Sequence, residues 1–145
     1  MPLLKLKIVT PERVLHEGEV NQVTLPTQLG QVTILPHHIP LVSVLSHGEI
    51  IVTSAHDEIL IAIEGGFVEI VPDGLVVLAD AGQMASEIDE HKVQEAIRRA
   101  EETLATTGTH DHNYEMLRAL IERETSKIKV ARRYKERGVH TKGTE

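Results

Sequence analysis

Residues 67–105, "FVEIVPDGLVVLADAGQMASEIDEHKVQEAIRRAEETLA", decide the fold, because the apolar period changes inside them. Up to Ala79 the apolar residues come in short runs of Val, Ile and Leu, broken by Pro72-Asp73-Gly74 as a hairpin with an Asp-Gly turn would be. From Val93 onward the spacing is Val93, Ala96, Ile97, Ala100 and Leu104, the stripe of an amphipathic helix. Ser86 with Asp89 three residues later fits a capping box at the start of that helix. A strand-forming region therefore ends near Ala85 and a helical one begins.

Working backwards, the whole of 1–85 keeps the strand pattern. "LLKLKIVT", "EVNQVTL", "QVTIL", "EIIVTS", "EILIAIEGG", "FVEIVPDG" and "LVVLADA" are short, rich in Val, Ile, Leu and Thr, and separated by Gly, Pro, Asn and Asp. Seven or eight such strands, with no helix between them, predict an all-β sandwich or flattened barrel rather than a parallel α/β sheet. Working forwards, "TTGTHDHN" (106–113) is a polar break, and a second helix follows. The pattern predicts helices over about 87–105 and 114–137, an antiparallel α-helical hairpin ended by Gly138, with "GVHTKGTE" as a frayed tail. The apolar side of the second helix is Leu117, Leu120, Ile121, Ile128 and Ala131, interrupted by Glu124 and Thr125. Such a thin stripe is not expected to hold some fifty residues ordered by itself, so the hairpin should behave as a movable arm that leans on the sandwich or on a partner.

Charge divides the chain at the same point. Residues 1–85 carry 3 basic and 10 acidic side chains, a net −7, whereas 86–145 carry 12 of each. Within the second region, 114–137 holds 8 basic against 4 acidic residues, a local +4. A net charge of −7 and only one Phe, two Tyr and no Trp argue against a nucleic-acid binder, which needs cations for phosphates and rings for bases. The absence of Cys removes disulfides and thiolate metal sites. The N-terminal "MPLLKLKIVTPE" alternates rather than forming a signal segment, and no run is long enough for a transmembrane segment. A soluble protein of a reducing compartment is expected.

Three clusters invite a chemical reading. In "GQVTILPHHIPLVSVLSHGEI" (30–50) the neighbouring His37 and His38 would face opposite ways in a strand, and Pro36 and Pro40 bracket them, so a sharp corner is expected there and not an active site. "HDH" at 110–112 offers three ligand types, but in a polar loop without convincing further ligands. Gly65-Gly66 lacks the spacing of a phosphate-cradling loop, and no nucleophile elbow accompanies any histidine. No catalytic site and no metal are expected, although a small β-sandwich enzyme using the histidines is the rival to be kept in view.

The segments "LPTQLGQVTILPHHIPLV", "GEI" (48–50), "EGGFVEI" (64–70), "LVVLADAG", "IDEHKVQEAIRRAEETL" and "KIKVARRYKER" together resemble the ε subunit of bacterial F-type ATP synthases, in order and over nearly the whole chain. One departure is Thr33, where the family corner has a second glycine. The resemblance implies a non-catalytic central-stalk subunit, peripheral at the cytoplasmic face of the bacterial inner membrane, that couples proton-driven rotation to ATP synthesis. It implies that His38 lies near the surface offered to the γ subunit, and that the loop Gln28, Leu29, Gly30, Gln31 and Val32 faces the c-ring. It also implies that the hairpin restrains ATP hydrolysis, its basic second helix reaching the catalytic β subunit. Some family members bind ATP on the folded hairpin. The matching positions here are Asp89, Lys92, Arg99, Arg123 and Lys127, with Lys92, Val93 and Lys127 replacing the family's Arg, Ala and Arg. Lysine keeps charge but loses the planar two-pronged donor, so ATP is expected as a weak regulatory ligand and no cofactor is required.

Overall fold

The computed structural model describes residues 2–142, with side chains as far as Arg137. The chain divides into two compact units, 1–85 and 86–145. The first contains β1 (Leu4–Val9), β2 (Val14–Val20), β3 (Gln22–Thr27), β4 (Gly30–Ile34), β5 (Leu41–Thr53), β6 (Glu58–Val71), β7 (Gly74–Ala79) and β8 (Gly82–Met84). The second contains α1 (Glu90–Ala105) and α2 (His112–Lys142), preceded by a single 3-10 turn at Ala85–Glu87.

The strands follow the order β2-β1-β7-β6-β5-β3-β4, with β8 also on β6. Only β1 and β7 run parallel. The two long strands make the sandwich. Leu41–Leu45 of β5 pairs with Gly66–Ile70 of β6, in the layer that continues to β7, β1 and β2. His47–Thr53 pairs with Glu58–Glu64, in the layer that carries β3, β4 and β8. Between the halves the buried positions change parity, from Leu45 to Ile50 and Val52 on β5, and from Ile61 and Ile63 to Val68 and Ile70 on β6. Gly65 and Gly66, at φ 113° and 137°, allow that reversal. A Cβ on Gly66 would lie 2.1 Å from the Leu78 carbonyl oxygen, so no other residue fits there.

Both layers bury one face against the other. Leu4, Leu6 and Ile8 are buried while Lys5 and Lys7 between them are exposed, the expected period of two. Val20, Val23, Leu25, Ile34, Val52, Ile61, Val68 and Val77 complete the same core.

The structure revises several boundaries. "EVNQVTL" is not one strand; it splits at Asn21 between β2 and β3. "EILIAIEGG" and "FVEIV" form one 14-residue strand rather than two, because the glycines bend the ladder without ending it. The β6–β7 turn is Pro72-Asp73 rather than Asp-Gly, since Val71 pairs with Gly74. Proline supplies the φ of the first turn position, while Gly74 is a strand residue whose Cβ would meet the Lys5 carbonyl oxygen at 2.1 Å.

Helix α1 starts at Glu90, not 87. Asp89 is itself the N-cap, accepting from the backbone N–H groups of His91 (3.1 Å) and Lys92 (3.3 Å), so Ser86 does not cap the helix. Helix α2 starts at His112, not 114, because the Asp111 carboxylate accepts from Asn113 N–H at 2.9 Å. It runs through Gly138 to Lys142 instead of stopping at 137. A helical glycine costs only about 1 kcal/mol, too little to stop a helix of this length. Of the tail expected to fray, residues 143–145 lie outside the described residues.

Within this unit α1 buries Val93 and Ala100, and α2 buries Ile128 and Ala131. The two residues that interrupt the α2 stripe are answered locally: Lys127 Nζ donates to Glu124 at 3.2 Å, and Thr125 Oγ1 donates to the Ile121 carbonyl at 2.6 Å.

Candidate functional site

The corner between β4 and β5 is a turn at Pro36-His37. His37 takes φ 64°, the left-handed region that is unusual for a side-chain-bearing residue. His38 N–H donates to the Leu35 carbonyl at 3.2 Å, and its ring Nδ1 lies 2.8 Å from the Ile39 carbonyl oxygen. A carbonyl only accepts, so that contact places the proton on Nδ1. The ring thus spends one nitrogen on the turn, while exposed Leu35 and Ile39 make the surface beside it apolar.

The same layer carries a feature that the sequence reading missed. On the outward face, Val44 of β5 pairs with Phe67 of β6, which pairs with Leu78 of β7. All three are exposed, Phe67 by 54%, although it is the only phenylalanine in the chain. Val42, also exposed, lies two residues along from Val44 on the same face. Adjacent exposed apolar side chains across three strands form a continuous patch, unlike the scattered single ones that any surface carries. A groove of about 390 Å³ on the β2-β1-β7 side is lined by apolar Val71 and Val76 as well as by Lys5, Lys7, Glu17 and Glu19.

At the opposite edge, β3 and β4 are joined by a two-residue turn, Gln28-Leu29. Thr27 Oγ1 donates to the Gly30 carbonyl at 2.7 Å and accepts from Leu29 N–H at 3.2 Å, and Gly30 takes φ 119°. The turn holds Leu29 completely out in solvent, at 101% exposure. The expected loop is shorter than 28–32, because Gly30, Gln31 and Val32 belong to β4 and Val32 packs on the core. Thr33, the departure from the family corner, is a strand residue whose hydroxyl is 3.0 Å from that of Thr24.

On the hairpin, Asp89 is the α1 cap. Glu90 meets Arg132 Nε at 3.9 Å and Lys135 Nζ at 3.4 Å, which fixes the antiparallel register and one flank. At 100° per residue, Arg99 lies about 180° around α1 from Glu90, and Arg123 about 180° around α2 from Arg132. Lys92 falls on the same side as Arg99, so helical spacing places Lys92, Arg99 and Arg123 on the flank away from Glu90, while Lys127 lies nearer the seam. Arg99 also pairs with Glu95 (3.7 Å), and Lys127 with Glu124. "HDH" is divided by the start of α2, with Asp111 used as its cap.

His16 on β2 is the one group with a displaced titration among those described: burial holds its pKa below the usual 6.5. Its Nδ1 is closed off from solvent without a hydrogen-bond partner. No helix among the described residues is long and apolar enough to cross a membrane.

The architecture is a β-sandwich with an exposed apolar row, followed by a polar helical hairpin. A family model described as "ATP synthase, Delta/Epsilon chain, beta-sandwich domain" matches residues 3–85. The chain is 35% identical to the ATP synthase epsilon chain of Halalkalibacterium halodurans, over 92% of this chain and all of that one. It is 39% identical to the epsilon chain of Dehalococcoides mccartyi strain BAV1, over 90% and 94%. The chain belongs to the ATP synthase ε chain family, whose members are non-catalytic subunits of that complex. Its fold is also similar to a chain in the structure of Euglena gracilis mitochondrial ATP synthase, with TM-score 0.68 and 16% identity, covering 94% of this chain and 81% of that one. A chain of the Tetrahymena thermophila mitochondrial ATP synthase central stalk and c-ring gives TM-score 0.53 at 10% identity, covering 90% and 95%.

Proposed function

We propose that this ε chain is a rotor part, peripheral at the cytoplasmic face of a bacterial inner membrane, that couples proton-driven rotation to ATP synthesis. In this reading the sandwich binds the γ subunit through the face that includes Val44, Phe67, Leu78 and the His38 turn, and rests on the c-ring through the Gln28-Leu29 tip. The observation that carries it is the exposed row on β5, β6 and β7, which has the continuity of a buried interface core. Leu29 supports the second contact, since a fully exposed leucine at a rigid turn is suited to an apolar recess. The hairpin acts as the brake on hydrolysis, its basic α2 meeting an acidic surface of the catalytic β subunit. Adding the full chain or its 1–85 unit to ATP synthase catalytic complex lacking ε tests this. Both should bind, and only the full chain should slow hydrolysis; failure of both to bind through γ would refute the docking reading.

A second reading concerns the same hairpin: ATP as a weak ligand held by Asp89, Lys92, Arg99, Arg123 and Lys127. The common flank of Lys92, Arg99 and Arg123 favours it. Replacing Arg99 and Arg123 by Gln should abolish nucleotide binding in calorimetry without loss of helix content. An unchanged binding isotherm would remove ATP from the account.

A further inference from the structure

Glu90 is the first residue of α1, and its carboxylate joins the two helices. Its side chain is 22% exposed, whereas Arg132 and Lys135 are 59% and 66% exposed. Oε1 is closed off from solvent and makes no hydrogen bond, so the carboxylate is held there chiefly by the two cations and by its place at a helix N-terminus. Arg98–Glu102, Arg99–Glu95 and His91–Glu95, by contrast, pair within one helix.

We propose that Glu90 is the latch of the hairpin: one carboxylate holds the basic end of α2 against the start of α1, and in doing so withholds Arg132 and Lys135 from any other acidic group. Opening the hairpin exchanges Glu90 for an external carboxylate, so an acidic protein surface competes directly with the latch. This consequence rests on the proposed role of α2 as an arm for an acidic partner; the latch itself does not. Because the pairs are only partly sheltered, the device is weak and salt-sensitive, which suits an arm that must release.

The chain has no cysteine, so Gln94→Cys and Lys129→Cys introduce two unique spin-label sites, exposed and level with one another in the antiparallel register. In the full-length protein, Glu90→Gln should raise the long-distance population about two- to fivefold. Glu102→Gln, whose partner lies on its own helix, should leave it unchanged. Arg132→Gln with Lys135→Gln should raise it to the same extent and add nothing when combined with Glu90→Gln, because all three belong to one interaction; circular dichroism checks that helix content is kept. A Glu90→Gln distance distribution equal to that of the parent overturns the latch, as does a further rise when the three substitutions are combined. In Glu90→Gln, whose α2 cations are intact, affinity for poly-L-glutamate should rise with the open fraction, as should inhibition of hydrolysis by the catalytic complex. If the distances shift and neither of these follows, the latch stands and the reading of α2 as an arm for an acidic partner falls.

Discussion

The two units are built to different standards of permanence. The sandwich has a continuous aliphatic core from two layers, with Ile8, Val23, Ile50, Val52, Ile61 and Val77 wholly buried. The hairpin seam buries Val93, Ala100, Ile128 and Ala131, leaves Leu104, Leu117, Leu120 and Ile121 half-exposed, and admits Glu124 and Lys127. Burial is not directional and cannot be exchanged cheaply, whereas surface charge pairs can swap partners at little cost. The difference fits the proposed division of labour, in which the sandwich presents fixed apolar contacts and the loosely held hairpin presents charge.

The comparison breaks most visibly at the sheet reversal. Gly66→Ala should destabilise the sandwich by about 3 kcal/mol or more, because φ 137° and a Cβ 2.1 Å from Leu78 oxygen cannot both be relieved locally. Denaturant unfolding followed by strand signal measures it. Truncation comes next: Ile61→Ala should cost about 2–5 kcal/mol, and half-buried Leu120→Ala only roughly 1–2 kcal/mol. Equal losses would contradict the contrast between core and seam. Asp89→Ala should remove about 1 kcal/mol from α1 alone, visible as loss of amide protection over its first turn with the sandwich unaffected.

The smallest effect is a pH dependence of the sandwich. His16 has its folded pKa lowered by burial, so its unfolded form binds a proton first as pH falls. That contribution to stability is present above about pH 6.5 and is lost as pH drops below it. His16→Gln should flatten the melting temperature between pH 7 and pH 5, and an unchanged slope would show that another group carries it.

Much of this was legible in residue order. The switch from short Val/Ile/Leu runs to the Val93–Leu104 stripe located the division near Ala85, and the alternation in "LLKLKIVT" marked a strand where β1 lies. The exposed row escaped because "FVEIV" and "LVVL" are apolar at both parities, so alternation cannot say which side faces solvent; only the pairing of Val44, Phe67 and Leu78 does. Caps were misplaced by one turn because Ser86 and Asp89 both fit the signal, and which of them caps depends on the 3-10 turn before α1. The Glu90 contact joins residues more than forty positions apart, and no local pattern reports the register that brings them together.

The central claim is that the outward face of β5, β6 and β7 is the anchor surface. Its most direct test is the dissociation constant of the γ subunit for the full chain and for Phe67→Ser, measured beside their melting temperatures. The account predicts weakening of about thirtyfold or more, as loss of an aromatic anchor of about 2 kcal/mol implies, with a melting temperature nearly unchanged because Phe67 is half in solvent. Equal affinity of the two proteins for γ would contradict it.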